Sequence, residues 1–180
     1  LHGALGPGAL IAELGSPGQR ALLDEVAAGE RLLAFAHQEP GMRGTHAPVT
    51  TKAAREGDSW TVTGCKNPVL AGDSADTLVV TAALPDGGTG AFLVDAGAVK
   101  RHSFRTFDGQ RAAQIDFDAA ACEPLGEATD ASAAISHTLV RISSGLCAEA
   151  LVARRAGPDR SRMLPGRVEE GLAFLHLARS

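Results

Sequence analysis

The sequence predicts an α+β chain: an antiparallel β-barrel or sandwich flanked by helices, with the helical parts incomplete. Three observations carry this. Apolar residues sit at helical spacing before residue 30, fall to a period of two between Leu32 and Phe117, and return to helical spacing after Pro124 and Gly126. The middle stretch is divided by Gly, Asp and Pro turns into several short strands, the pattern of a small barrel or sandwich. The helices before it are too short to enclose a core of their own, so they must lean on the strands.

Gly8–Leu14 is an apolar helix ended by Gly15. Ser16-Pro17-Gly18-Gln19 has the form of a capping box with Pro17 at the first helical position. Leu22, Leu23 and Val26 then make one apolar face, and Gly29 suits the C-terminal stop. Leu32–Gln38 is a buried strand. Thr50–Arg55 and Ser59–Lys66 flank Glu56-Gly57-Asp58, a hairpin turn, with Trp60, Val62 and Gly64 on one face and Thr61, Thr63 and Cys65 on the other. Thr77–Ala83 is a β-branched run closed by the turn Pro85-Asp86-Gly87-Gly88. Ala91–Asp95 and Ala112–Asp118 follow, the latter alternating Ala113, Ile115 and Phe117 with polar partners. Asp130 can cap a helix striped by Ile135, Leu139, Ile142 and Leu146, where Gly145 and Ala148 allow close packing. Beyond Ala153 the sequence turns basic, carries Pro158 and Pro165, and reads as irregular apart from a short helix at Val168–Leu177.

At 180 residues the chain holds one domain, or one domain with part of another. Twenty-one acidic against seventeen basic residues give a net charge of −4, no basis for nucleic-acid binding. Three cysteines, none at C-x-x-C spacing, argue against a disulfide framework or a zinc site and make the cytoplasm the expected compartment. The six histidines form no metal-binding pattern, and no run has the length of a membrane span or the layout of a signal peptide.

The stretch Leu32–Gly44, LLAFAHQEPGMRG, reads as a strand that stops at a loop able to grip an anion, with Lys66 following Glu39 by 27 residues. Here the sequence resembles the acyl-CoA dehydrogenase family. Ala34-Phe35-Ala36-His37-Gln38-Glu39-Pro40-Gly41 is similar to that family's A-x-T-E-P-x-x-G-S-D signature, and Trp60-Thr61-Val62-Thr63-Gly64-Cys65-Lys66 to its G-W-x-x-N-G-x-K strand. Ala75–Val80, Phe92–Asp95, Ile115–Asp118 and Pro124–Glu127 follow in the family's order, so the resemblance spans residues 7 to 152. It implies a middle β-barrel between two helical domains. The division expected is 1–30 for the end of an N-terminal helical domain, 31–127 for the barrel, 128–153 for the start of a C-terminal helical domain and 154–180 for a divergent tail. The resemblance stops within the last helix, and nothing in Ala153–Ser180 is similar to the family's later R-x-x-F-G motif, which is expected of a truncation or a shifted reading frame.

The resemblance further implies FAD as cofactor, an acyl-CoA thioester as substrate in fatty acid metabolism, and a homo- or hetero-oligomer. Carried over residue by residue, Phe35, His37 and Gln38 line the flavin edge, and Arg43 and Gly44 the phosphate side. Gln38 stands where the family has threonine and can still hydrogen-bond; Arg43-Gly44-Thr45 replaces Gly-Ser-Asp, charge standing in for a hydroxyl. Pro68 and Leu70 occupy the positions of the aromatic and hydroxyl residues that cover the flavin, and neither side chain donates a hydrogen bond. Either the Leu70 backbone N–H substitutes, or the chain binds flavin weakly or not at all. No catalytic residue is assigned: the family's base lies on the C-terminal helical domain, and Glu39 reads as a local turn-shaping carboxylate. His37 and Trp60 read as core residues, Cys147 as packing, and Asp116–Asp118 as a solvated face. Two readings result: an α,β-dehydrogenating flavoprotein incomplete as a single chain, or a non-catalytic partner subunit or scaffold barrel without flavin.

Overall fold

The computed structural model describes residues 3–44 and 49–156. The expected helix at 168–177 and the 154–180 tail, beyond the last turn of the final helix, lie outside the described residues. Three short helices come first: α1 (Leu5–Leu14), α2 (Pro17–Arg20) and α3 (Leu22–Ala28). The capping box forms as written. Ser16 Oγ accepts from the Gln19 N–H at 3.3 Å, and Gln19 Oε1 accepts from the Ser16 N–H at 3.0 Å. Gly29 ends α3 in the left-handed conformation at φ 76°.

Seven strands follow: β1 (Leu33–Ala36), β2 (Lys52–Glu56), β3 (Ser59–Leu70), β4 (Thr77–Ala83), β5 (Thr89–Asp95), β6 (Lys100–Arg105) and β7 (Arg111–Pro124). Neighbours run β4-β2-β3-β7-β5, and β5 pairs back to β4 through Thr77↔Asp95 to Ala83↔Thr89, so five strands close a barrel. The pairing is mixed rather than wholly antiparallel. The β2–β3 hairpin is antiparallel through a two-residue turn, Glu56 opposite Ser59, but β1 and β2 both run parallel to β4. The chain reaches β4 only after β3 has carried it away, so that contact is a crossover and not a hairpin.

Three strands are longer or newer than the sequence suggests, among them β7, expected over Ala112–Asp118 and found over Arg111–Pro124. β3 continues past Lys66 through a cis Asn67–Pro68 bond and a register shift to pair Val69 with Ala113 and Leu70 with Ala112. β6, with sequence KRHSFR, pairs only with β7 and is exposed at five of its six residues, so no apolar alternation marks it.

Alternation divides the apolar residues between two clusters. Ala34, Ala36, Val62, Val69, Leu78, Val80, Phe92, Val94, Ala113, Ile115 and Phe117 fill the barrel, with Trp60 at its edge tilted 45° against Phe92. Leu33, Val79, Ala91 and Leu93, on the opposite faces of the same strands, join Leu10 and Ile11 of α1 and Leu125 in a second cluster. That cluster takes in the first turns of α4 (Ser132–Ala156) through Ala134, Ile135 and Leu139. Each such aliphatic side chain removed from water contributes about 1.5–3 kcal/mol, which is what holds helices this short in place. Asp130 starts α4 by accepting from the Ser132 N–H at 3.2 Å, and it also accepts from the Thr89 N–H at 2.9 Å.

By compactness the chain divides after Leu139. In the second unit, described through the rest of α4, Val140, Leu146, Leu151 and Val152 are exposed. Within the barrel, burial pushes the Cys122 thiol up to about 12, and burial with Asp116 nearby pushes Cys65 up to about 11, so both stay protonated and unreactive at neutral pH.

Candidate functional site

β1 alternates small residues inward, Ala34 and Ala36, with Leu33 and Phe35 outward toward the helices. His37 continues the outward face beyond the strand end and stacks on Phe35, ring centroids 5.5 Å apart and 8° from parallel. The next residues turn back in, and Glu39 is 5% exposed. On β3 the inward register Val62, Gly64, Lys66 puts a lysine inside the barrel with no exposure at all.

A buried ammonium needs a counter-charge and full use of its donors. Lys66 Nζ donates to Glu39 Oε1 at 2.7 Å, to the His37 carbonyl at 3.1 Å and to Thr81 Oγ1 on β4 at 3.2 Å. Glu39 in turn accepts from the backbone N–H groups of Thr50 (2.7 Å) and Thr51 (3.0 Å) and from the Thr50 hydroxyl. Burial alone raises a carboxyl, but the hydrogen bonds from Lys66, Thr50 and Thr51 outweigh it and hold Glu39 down at about 2. Burial also pushes the Lys66 ammonium down, against the pull of Glu39. The two charges neutralise one another and pin three segments together: the end of β1, the entry to β2 and the middle of β3.

This corrects the expectation for Glu39. It shapes its turn locally, its carbonyl accepting from the Met42 N–H at 3.1 Å, but its carboxylate reaches 27 residues onward. Fully engaged, it has no vacancy for proton abstraction. Lys66 and Thr81 were missed as parts of a site. Lys66 served only as a marker of resemblance, although a lone lysine on the inward phase of an apolar strand is itself the signal. Thr81 lay hidden in a β-branched run where threonine is an ordinary strand residue.

Among the predicted site residues, the fold brings one group together. The Gln38 carbonyl accepts from the Asn67 N–H at 2.8 Å, so Gln38 adjoins the start of the Asn67–Leu70 segment of β3, while Phe35 and His37 stack on each other nearby in the chain. Pro68 is exposed and Leu70 half-buried. They sit on the strand itself, where they offer an apolar shelf and no side-chain donor. Arg43 and Gly44 lie on the exposed loop that follows Glu39, and among the described residues no hydrogen bond ties them to that strand. In that loop Gly41 and Gly44 have φ of 77° and 86°, and an added Cβ at either would meet nothing within 4 Å. Arg43 stands between the two glycines and is exposed. Glu39 is the carboxylate nearest in sequence to this edge, and it is already paired.

No protein-family model matches the sequence, and no curated protein does. Solved structures match the fold. A variant of the Tcur3481-Tcur3483 steroid ACAD superposes with a TM-score of 0.70 at 34% identity, over 81% of this chain and 39% of its own. A glutaryl-CoA dehydrogenase from Mycobacterium smegmatis in complex with FADH2 gives 0.70 at 22% identity, over 78% of this chain and 38% of its own. Butyryl-CoA dehydrogenase from Megasphaera elsdenii gives 0.72 at 22% identity, over 83% and 43%. The chain thus spans about two fifths of the length of the structures it matches.

Proposed function

The barrel is the middle domain of the acyl-CoA dehydrogenase family, and from that premise we propose that the chain contributes the flavin-holding part of an enzyme that dehydrogenates an acyl-CoA thioester at its α and β carbons. When bound, FAD supplies the acceptor for the β-hydride. The residues present fit that group. Phe35, Pro68 and Leu70 offer flat apolar surface, and His37, Gln38 and the main chain offer polar atoms at its margin. The loop with Gly41, Arg43 and Gly44 suits a pyrophosphate by the charge of its arginine and the backbone freedom of its glycines.

The observation that carries this reading is the buried Lys66–Glu39 pair. It spends one ion pair where no substrate can use it, and what it accomplishes is to hold the β1 end beside Asn67–Leu70. With Glu39 committed, the α-proton must be taken by a carboxylate from outside this edge, so turnover is proposed for an assembly and not for the barrel alone. The Tcur3481-Tcur3483 steroid ACAD carries a paired name that fits such an arrangement, and we propose an oligomeric, cytoplasmic protein. No helix among the described residues is long and apolar enough to cross a membrane.

The absence of a donor on Pro68 and Leu70 favours a second reading, a partner subunit that binds no flavin. A visible spectrum of the purified protein, before and after incubation with FAD and gel filtration, separates the two. Near-stoichiometric flavin bands support the cofactor site; a protein that stays colourless after incubation refutes it.

A further inference from the structure

β6 pairs with β7 alone, through all six of its residues from Lys100 to Arg105. Among the described residues nothing completes a ladder on its other edge, so a row of backbone N–H and C=O groups is left without a strand partner. The register sorts the side chains: Lys100, His102 and Phe104 share one face, and Arg101, Ser103 and Arg105 the other. Between Lys100 and Arg111 the hairpin carries four cations, Lys100, Arg101, Arg105 and Arg111, against the single carboxylate of Asp108, in a chain whose net charge is −4. Arg111 is paired with Asp73, and Arg101 donates to the Asp73 and Ala75 carbonyls. Arg105 donates only to the uncharged Gly109 carbonyl, and among the described residues neither it nor Lys100 has a carboxylate partner.

The turn beyond the strand holds itself together. The Thr106 N–H donates to the Gln110 carbonyl at 2.9 Å, the Gly109 N–H to the Thr106 carbonyl at 2.8 Å, and Gln110 Nε2 to Asp108 Oδ2 at 2.6 Å. None of these bonds uses the side chain of Phe107, which is fully exposed, while Phe104 is 39% exposed. Such a turn accepts most residues at that position, so local folding does not call for phenylalanine there. An open backbone edge, uncompensated positive charge and apolar rings on a fixed turn thus coincide on one hairpin.

We propose that the free edge of β6 docks an extended acidic segment of a partner protein, which adds a strand to the sheet and sets apolar residues against Phe104 and Phe107. A second β6 is the wrong occupant, because it would lay cations beside cations. Nucleic acid matches the charge but brings no backbone amides to the open edge. The proposal deepens the assembly described above, and rests on it for there being a partner at all.

The probe is a labelled synthetic peptide of alternating valine and glutamate, as long as β6, titrated into the whole chain and read by fluorescence anisotropy. It should bind, with amide-exchange protection gained at Lys100–Arg105. Arg105→Glu should weaken it roughly tenfold and Phe107→Ser roughly fivefold, both with unchanged melting temperatures because these side chains are exposed. A valine–lysine peptide, and the glutamate peptide N-methylated along one edge, should bind far more weakly. No binding, equal binding of either control peptide, or unchanged affinity in Arg105→Glu overturns the proposal, as does equal binding of a single-stranded oligonucleotide. Light scattering separates the two readings. An oligomeric protein that ignores the peptide overturns the docking edge and leaves the assembly standing; a monomeric one that binds it supports the edge and counts against a self-formed assembly.

Discussion

Glu39 and Lys66 each remove a full charge from water, and neither tolerates loss of the other. Replacing one partner of a buried pair typically costs about 3–5 kcal/mol, because the survivor is left uncompensated. Lys66→Met should therefore destabilise more than Lys66→Met combined with Glu39→Gln, read as urea midpoints. The pair also gives acid sensitivity a definite sign. A carboxyl held near 2 in the folded chain and near 4.5 when unfolded stabilises fully above pH 4.5, and that contribution drains away as pH falls toward 2. Wild type should lose up to about 3 kcal/mol across that window, whereas Glu39→Gln starts lower and lacks this component. Parallel pH slopes for the two proteins would contradict the ion pair.

Among the elements, those with dense local rules were readable in advance. Ser16-Pro17-Gly18-Gln19 forms its capping box because capping needs only four neighbouring residues. Thr77–Ala83 forms a strand with the expected bounds because every residue in it is apolar or β-branched and nearly all are buried. β6 was missed because Lys100–Arg105 faces water and satisfies no apolar period. At the site, Phe35, His37, Gln38, Pro68 and Leu70 could be named from resemblance, but the Lys66–Thr81 bond joins strands whose register no local pattern specifies.

Helix docking offers a sharper element-level test. Gly126 has φ 70°, and a Cβ there would stand 2.1 Å from the Leu14 carbonyl at the end of α1. Gly126→Ala should cost about 2–4 kcal/mol from backbone strain and the displaced helix end, with amide-exchange protection lost at Leu10 and Ile11. Gly57→Ala, at φ 61° with no atom within 4 Å, carries the strain without the collision and should cost about 1–2 kcal/mol. Equal losses in the two variants would show that α1 does not press on Gly126.

At the scale of the molecule, the N-terminal helices and the last strand meet through one amide. Gln19 Nε2 donates to the Pro124 carbonyl at 2.8 Å and to Glu123 Oε1 at 2.5 Å, while Gln19 Oε1 accepts from the Gly126 N–H at 2.9 Å. These bonds span 104 to 107 residues. A loop that long is costly to close early, so the Gln19 contacts have nothing to bind until β7 is laid down. The consequence is kinetic: the capping-box helix latches after the barrel has formed. Gln19→Ala should leave the refolding rate almost untouched and accelerate unfolding, giving a φ-value near zero in a stopped-flow chevron. A matching slowdown of folding would mean instead that the helices help to nucleate the barrel they cover.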